Sequence, residues 1–146
     1  MGASITPKCI TYLSGYKYQL TKDYSIATGI IPPKPINTAH IRLYKSGLLT
    51  LKEGYAWDGP SGPTFDTKNF MRGSLVHDAL YQLMRDGCIG PENLEPADRL
   101  LQSICIEDGM SPLRAWWVYQ AVRRHGANHL APRTPVCAPK DCKDCN

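Results

Sequence analysis

Residues 54–81 read GYAWDGPSGPTFDTKNFMRGSLVHDALY, and this stretch decides the fold. Its first ten residues include three glycines and two prolines, a composition typical of tight turns whose backbone groups converge. After Lys68, apolar side chains recur at helical spacing, which predicts a helix over 68–85 that ends before Gly87. The stretch therefore joins a turn-rich loop to a long amphipathic helix.

The segments on either side of this stretch have different periods. Before it, residues 8–53 contain short runs of alternating apolar and polar residues separated by turn signals, which predicts a small antiparallel β region. After it, two segments with proline near their start and glycine after their end predict helices over 96–108 and 112–125. The predicted fold class is therefore α+β, with one domain over 1–126 and an irregular Cys-rich tail over 127–146.

The third predicted helix carries large aromatic side chains. Trp116, Trp117, Tyr119 and Val122 are the apolar residues of this helix, and we expect them to lie mainly in the core. Adjacent side chains on a helix point about 100° apart. One of the two tryptophans is therefore expected at an exposed contact surface.

The charge of the chain bears on its partners. The 146 residues carry a formal net charge of +4, without a run of lysine or arginine. That charge is too small and too dispersed to predict nucleic-acid binding. No apolar stretch approaches the ~20 residues that a membrane-spanning helix needs. We therefore expect partners other than nucleic acid.

The tail contains three of the six cysteines, Cys137, Cys142 and Cys145. Three cysteines are one short of a structural zinc site. The tail also has too little apolar surface to repay the cost of its own ordering. We therefore expect disulfides or other chains to hold it, and Cys9 is a further disulfide candidate.

The candidate site lies on the first two helices. His77 and Tyr81 are four residues apart and share a helix face, whereas Asp78 points about 100° away from His77. A short connection favours an antiparallel helix hairpin, which would bring Asp98 beside His77. Asp98 is expected in the first turn of its helix, where the helix dipole stabilises a negative charge. The loop contributes Asp58, and its other candidate residues are Gly54, Trp57, Gly59, Ser61 and Gly62.

Three motifs together resemble the family called domain of unknown function 1353, which occurs in tailed phages and prophages. They are EGYAWDGPSGP, LVHDALYQLM and PADRLLQSICIEDGMSPLRAWWVYQAVRRHG, and the region of resemblance spans roughly residues 40–126. The resemblance implies a virion-associated protein, an accessory or structural component of the tail or head–tail region, assembled in the host bacterial cytoplasm. Its implied partners are other virion proteins and copies of itself. Disulfides would form after lysis releases the particle.

The His-Asp motif also resembles the active site of secreted phospholipase A-two. This second resemblance implies a calcium-dependent hydrolase in which His77 deprotonates water and Asp98 orients its imidazole. Asp78 would bind Ca²⁺ together with backbone carbonyls of the loop, and Tyr81 would donate a hydrogen bond to Asp98. Membrane lipid is a partner under this hypothesis alone. The sequence departs from that family at Val76, where the family has a cysteine.

Two further interpretations of the same residues stay open. In the first, Asp58, His77 and Asp78 bind a transition metal such as Zn²⁺ or Mn²⁺. In the second, His77, Asp98 and Tyr81 form a buried polar network, and Asp78 accepts hydrogen bonds from the loop. Such a network would fix the loop to the helix pair without performing chemistry.

Overall fold

The computed structural model describes residues 10–12, 18–59, 68–130 and 136–138 of the chain. Within these ranges, short strands precede three long helices, which confirms the α+β class. The strands are β1 (Ile10–Tyr12), β2 (Tyr18–Gln19), β3 (Tyr24–Ala27), β4 (Ile36–Asn37), β5 (Ile41–Leu43), β6 (Leu48–Leu51), β7 (Ala56–Trp57) and β8 (Val136–Ala138). The helices are α1 (Lys68–Arg85), α2 (Leu94–Glu107) and α3 (Pro112–His125), with 3₁₀ helices at Pro91–Asn93 and Gly126–Leu130.

Four of the strands form an antiparallel sheet in the order β3-β6-β5-β4. At its centre, Ile41 pairs with Leu51 and Leu43 with Leu49. These four side chains are buried in the core, because residues two apart on a strand point to the same face. The β5–β6 hairpin turns at Gly47, whose φ of +87° is a conformation that glycine adopts at no steric cost.

The two N-terminal strands pair with distant segments. β1 runs antiparallel to β8, and Thr11 lies opposite Cys137. β2 runs antiparallel to β7, and Tyr18 lies opposite Trp57. The second pairing ties the N-terminal region to the first residues of the glycine- and proline-rich loop.

α1 and α2 form the antiparallel hairpin that the sequence predicts. Arg72, near the start of α1, hydrogen-bonds Asp108 at the end of α2, whereas Tyr81, a few turns later, hydrogen-bonds Asp98 near its start. Partner numbers fall along α2 as residue numbers rise along α1, so the two helices run in opposite directions. α1 ends before Gly87, as predicted. Gly87 has a φ of +74°, and a residue in this left-handed conformation cannot continue a right-handed helix.

α2 begins at Leu94, two residues before the predicted start at 96. The 3₁₀ helix Pro91–Asn93 runs directly into it. Pro96 is compatible with this start, because the first four N–H groups of a helix have no partner within it. The earlier start leaves Asp98 beyond the first turn. The predicted stabilisation of Asp98 by the helix dipole is therefore wrong, since the dipole acts within that turn.

α3 packs on the helix hairpin through small side chains. Ala115 and Val118 are buried, in a cluster that includes Leu101 of α2. The prediction that the tryptophans lie mainly in the core is wrong, because Trp116 is 45% and Trp117 61% exposed. The narrow side chains let α3 approach α2 closely, and this turns the wide aromatic residues outwards. No helix in the described ranges is long and apolar enough to cross a membrane.

The segment after α3 contains more regular structure than the sequence predicts. Gly126–Leu130 is a 3₁₀ helix, and Leu130 packs against the main core. Val136–Ala138 forms β8 beside β1. Cys9, Cys142 and Cys145 lie outside the described residues, and Cys137 is described only as part of a strand. The expected disulfides therefore stay predictions.

Candidate functional site

Asp98 is the centre of the site and is 0% exposed. Its Oδ1 accepts hydrogen bonds from His77 Nε2 at 2.7 Å and from the Tyr81 hydroxyl at 2.6 Å. Its Oδ2 accepts a hydrogen bond from Arg123 Nη1 at 3.0 Å. A carboxylate paired with a guanidinium is an acceptor, and we therefore assign the proton of the His77–Asp98 hydrogen bond to Nε2. These three donors replace the water that a buried carboxylate loses.

Each donor is positioned by its place on a helix. His77 and Tyr81 are one turn apart on α1 and face α2 together, with their ring centroids 4.1 Å apart. Arg123 reaches Asp98 from the last turn of α3. The predicted contacts of His77 and Tyr81 with Asp98 are therefore present in the structure. Arg123 was not among the predicted site residues.

The second nitrogen of His77 faces Asp78. The distance from His77 Nδ1 to Asp78 Oδ1 is 3.9 Å, which is close enough for an ion pair but too long for a hydrogen bond. The ring is 8% exposed, and the Asp78 side chain is 30% exposed. The Nδ1 edge of the imidazole therefore lies next to a carboxylate that reaches solvent, whereas the Nε2 edge is sealed against Asp98.

Burial and charge act in opposite directions on His77. Burial lowers its pKa, since a charged imidazolium loses its hydration, but the carboxylates of Asp78 and Asp98 raise the pKa by more. The pKa of His77 is therefore above its ordinary value. Burial also raises the pKa of Tyr81 far above its usual range, and the hydrogen bond to Asp98 adds to this. The Tyr81 hydroxyl therefore stays protonated and donates.

The first residues of the 54–63 loop are attached to α1. Trp57 is buried, and its Nε1–H donates to Ser74 Oγ at 3.2 Å, one helical turn before Asp78. Gly59 has a φ of +75°, and an added Cβ would lie 2.6 Å from the Tyr18 ring. Only glycine fits there, because both the backbone angle and the space exclude a side chain. The predicted loop thus contacts α1 at Trp57.

Other predicted loop residues are less closely tied to the site. Gly54 has a φ of +93°, and an added Cβ there would lie 3.3 Å from His40 Nε2. The Oδ1 atom of Asp58 is buried. Ser61 and Gly62 lie outside the described residues. The predicted contact between Asp78 and the 54–63 loop therefore stays a prediction for the part of the loop after Gly59.

The described residues contain no group of three or more His, Cys, Asp and Glu side chains that could hold a metal ion. Asp78 is the carboxylate that lies against the free edge of His77. The carbonyl groups expected to complete a calcium site belong in part to residues 60–63, outside the described ranges. Cavities of about 270 Å³ beside Gln82 and about 500 Å³ beside Cys88 lie elsewhere, and His77 lines neither.

The missed residue belongs to the third motif. Arg123 lies in VRRHG, the last five residues of that motif. In the structure, this ending brings the last turn of α3 to the hairpin of α1 and α2. The comparisons with known proteins add no information on these residues, because no family model, curated protein or solved structure matches the chain.

Proposed function

We propose that this chain is a virion-associated protein of a tailed phage or prophage, an accessory or structural component of the tail or head–tail region. One observation carries the proposal. Side chains from two separate motifs, His77 and Tyr81 in one and Arg123 in the other, meet at the buried carboxylate of Asp98. Such convergence is expected if these two motifs belong to one inherited unit, as the resemblance implies.

The composition of purified particles tests this proposal. An epitope-tagged copy of the chain, expressed while the phage is propagated, should sediment with intact particles in a density gradient. On a non-reducing gel of those particles, tail disulfides to neighbours should give bands above the monomer that collapse with reductant. A chain that stays in the soluble part of the lysate, with none in the particle fraction, would contradict the proposal.

A second candidate function, a water-activating hydrolase, is favoured by the geometry of the His77–Asp98 pair. Asp98 holds the Nε2–H of the imidazole, so the Nδ1 lone pair of the neutral ring is left to accept a proton. Nδ1 would take that proton from a water molecule, and the hydroxide formed would attack an ester carbonyl. The imidazolium, stabilised by Asp98 and Asp78, would then return the proton to the leaving alkoxide.

Calcium would contribute to this reaction as a Lewis acid. Asp78 and backbone carbonyls of the 54–63 loop are the groups of this chain that would hold it, and a carboxylate that reaches solvent suits a hard cation. When bound, it would stabilise the oxyanion of the tetrahedral intermediate. The chain's own contribution is to orient the imidazole through Asp98 and to exclude water from its Nε2 edge.

Hydrolysis of phospholipid vesicles and of soluble esters, with calcium or with chelator, tests this second candidate. His77→Gln should abolish activity, whereas His125→Gln, an exposed histidine on α3, should leave it intact. Absence of activity and of calcium binding in the wild type would exclude the candidate for this substrate class. If His77→Gln also lowered the melting temperature strongly in an inactive parent, the residues would form a structural network alone.

A further inference from the structure

The two oxygens of Asp98 have separate donors. Oδ1 accepts from His77 and Tyr81, both on α1, and Oδ2 accepts from Arg123 on α3. A carboxylate bound through one oxygen alone can rotate about its Cβ–Cγ bond. The Arg123 contact on the opposite oxygen fixes that rotation, and so determines which oxygen faces the imidazole.

Arg123 also supplies the charge that a buried carboxylate requires. Asp98 is 0% exposed, and the Arg123 side chain is 36% exposed. An ionised group in such a place is stable only when an opposite charge and hydrogen bonds compensate for lost hydration. The guanidinium of Arg123 supplies that opposite charge at Oδ2, from α3.

Gly126 leaves space for the hydroxyl of Tyr81, which is one of the three donors to Asp98. It follows α3 immediately and is buried. A Cβ at this position would lie 2.6 Å from the Tyr81 hydroxyl oxygen, well inside van der Waals contact. The φ of Gly126 is −57°, so its backbone angle does not require glycine. The space does, because the hydroxyl that donates to Asp98 occupies it.

We propose that Arg123 and Gly126 are positioning residues of the His77–Asp98 site, so that the end of α3 forms the site together with α1 and α2. Arg123 holds the Asp98 carboxylate with Oδ1 towards the imidazole. Gly126 lets the Tyr81 hydroxyl reach that same oxygen. Their catalytic consequence rests on the hydrolase proposed above, whereas the geometric part holds for any role of the site.

The experiment measures the His77 Nε2–H proton directly, by NMR of protein with isotope-labelled histidine. A proton hydrogen-bonded to a buried carboxylate should resonate far downfield and exchange slowly with water. His77→Gln identifies the signal by its loss. In Arg123→Gln the signal should move upfield and its exchange should accelerate about tenfold, as expected for loss of one charge-assisted contact. Arg124→Gln, its exposed neighbour, should match the wild type.

Two more variants separate positioning from general stability. Arg123→Lys should restore the signal largely, because the ammonium group keeps the charge at Oδ2. Gly126→Ala should disturb the signal although it removes no polar group. An unchanged Nε2–H signal in folded Arg123→Gln would overturn the inference, as would equal disturbance in the lysine and glutamine variants.

Activity provides an independent readout. If the wild type hydrolyses esters, Arg123→Gln should lower kcat with little change in KM, because Arg123 acts on the imidazole through its contact with Asp98. Unaltered kcat in that variant would overturn the positioning role. An inactive wild type would exclude the hydrolase but leave the proton measurement as a valid test.

Discussion

Replacing Asp98 by asparagine is the most informative single change, because three helices meet at this carboxylate. The amide keeps the shape but removes the charge. Its oxygen can still accept from His77 and Tyr81, but as a neutral acceptor, which is roughly half as strong. Its NH₂ group must then face Arg123 Nη1, and two donors repel each other.

The loss follows from these contacts. Weakening two charge-assisted hydrogen bonds to neutral ones costs about 1 kcal/mol each. Losing the Arg123 partner adds about 1 kcal/mol rather than more, because a side chain 36% exposed can turn to water. The sum is about 3 kcal/mol, at the lower end for breaking a buried ion pair.

Urea unfolding followed by circular dichroism measures this loss. With a slope of about 2 kcal/mol per molar for a small domain, the midpoint should fall by about 1.5 M urea. The control is Glu95→Gln on the same helix, an exposed carboxylate paired with Arg99, which should cost less than about 1 kcal/mol. If Asp98→Asn unfolded within about 0.5 kcal/mol of the wild type, the buried network would not be an ionised one and the reasoning would fail.

Three other predictions follow from described contacts. Gly73→Ala should lower the free energy of unfolding by about 1–3 kcal/mol, measured in urea, because its Cβ would lie 2.8 Å from Leu101 Cδ1; an unchanged midpoint would show that α1 and α2 separate at no cost. The raised pKa of His77 stabilises the fold fully below about pH 6.5, its unfolded value. That contribution should disappear as pH rises through the folded pKa, so His77→Gln should lack this fall in melting temperature; equal pH profiles would contradict it. Burial raises the pKa of Cys105 to about 11, so iodoacetamide should label this thiol only in the unfolded protein, as read by peptide mass spectrometry; rapid native labelling at pH 8 would argue against burial.

The contact between His77 and Asp98 could be predicted because it depends on local rules. Helical spacing fixes which residues of α1 share a face, and a short connection between two helices makes them antiparallel. The Arg123 contact depends instead on how α3 crosses the hairpin. Nothing in the spacing of α3 indicates whether Arg123 or Arg124 turns inwards, since both follow the same apolar segment.

The exposed tryptophans have a similar explanation. Hydrophobicity alone favours burial of the largest apolar side chains, but the face of a helix that packs is chosen by shape. Ala115 and Val118 lie on the α2 side of α3, and Trp116 and Trp117 point elsewhere on the same helix. The pairing of the strands could not be predicted either, because the alternation of apolar and polar residues indicates a strand but does not determine which strand it pairs with.

The attachment of Trp57 to α1 gives the protein an internal optical probe. Of the three tryptophans, Trp57 is buried with its indole N–H bonded to Ser74, whereas Trp116 and Trp117 face solvent with their rings 5.0 Å apart. The buried indole should emit at shorter wavelength and resist quenching by iodide. In a Trp116→Phe/Trp117→Phe protein, fluorescence would come from Trp57 alone. Its emission would then report, in real time, whether the loop stays attached to the helix that carries His77.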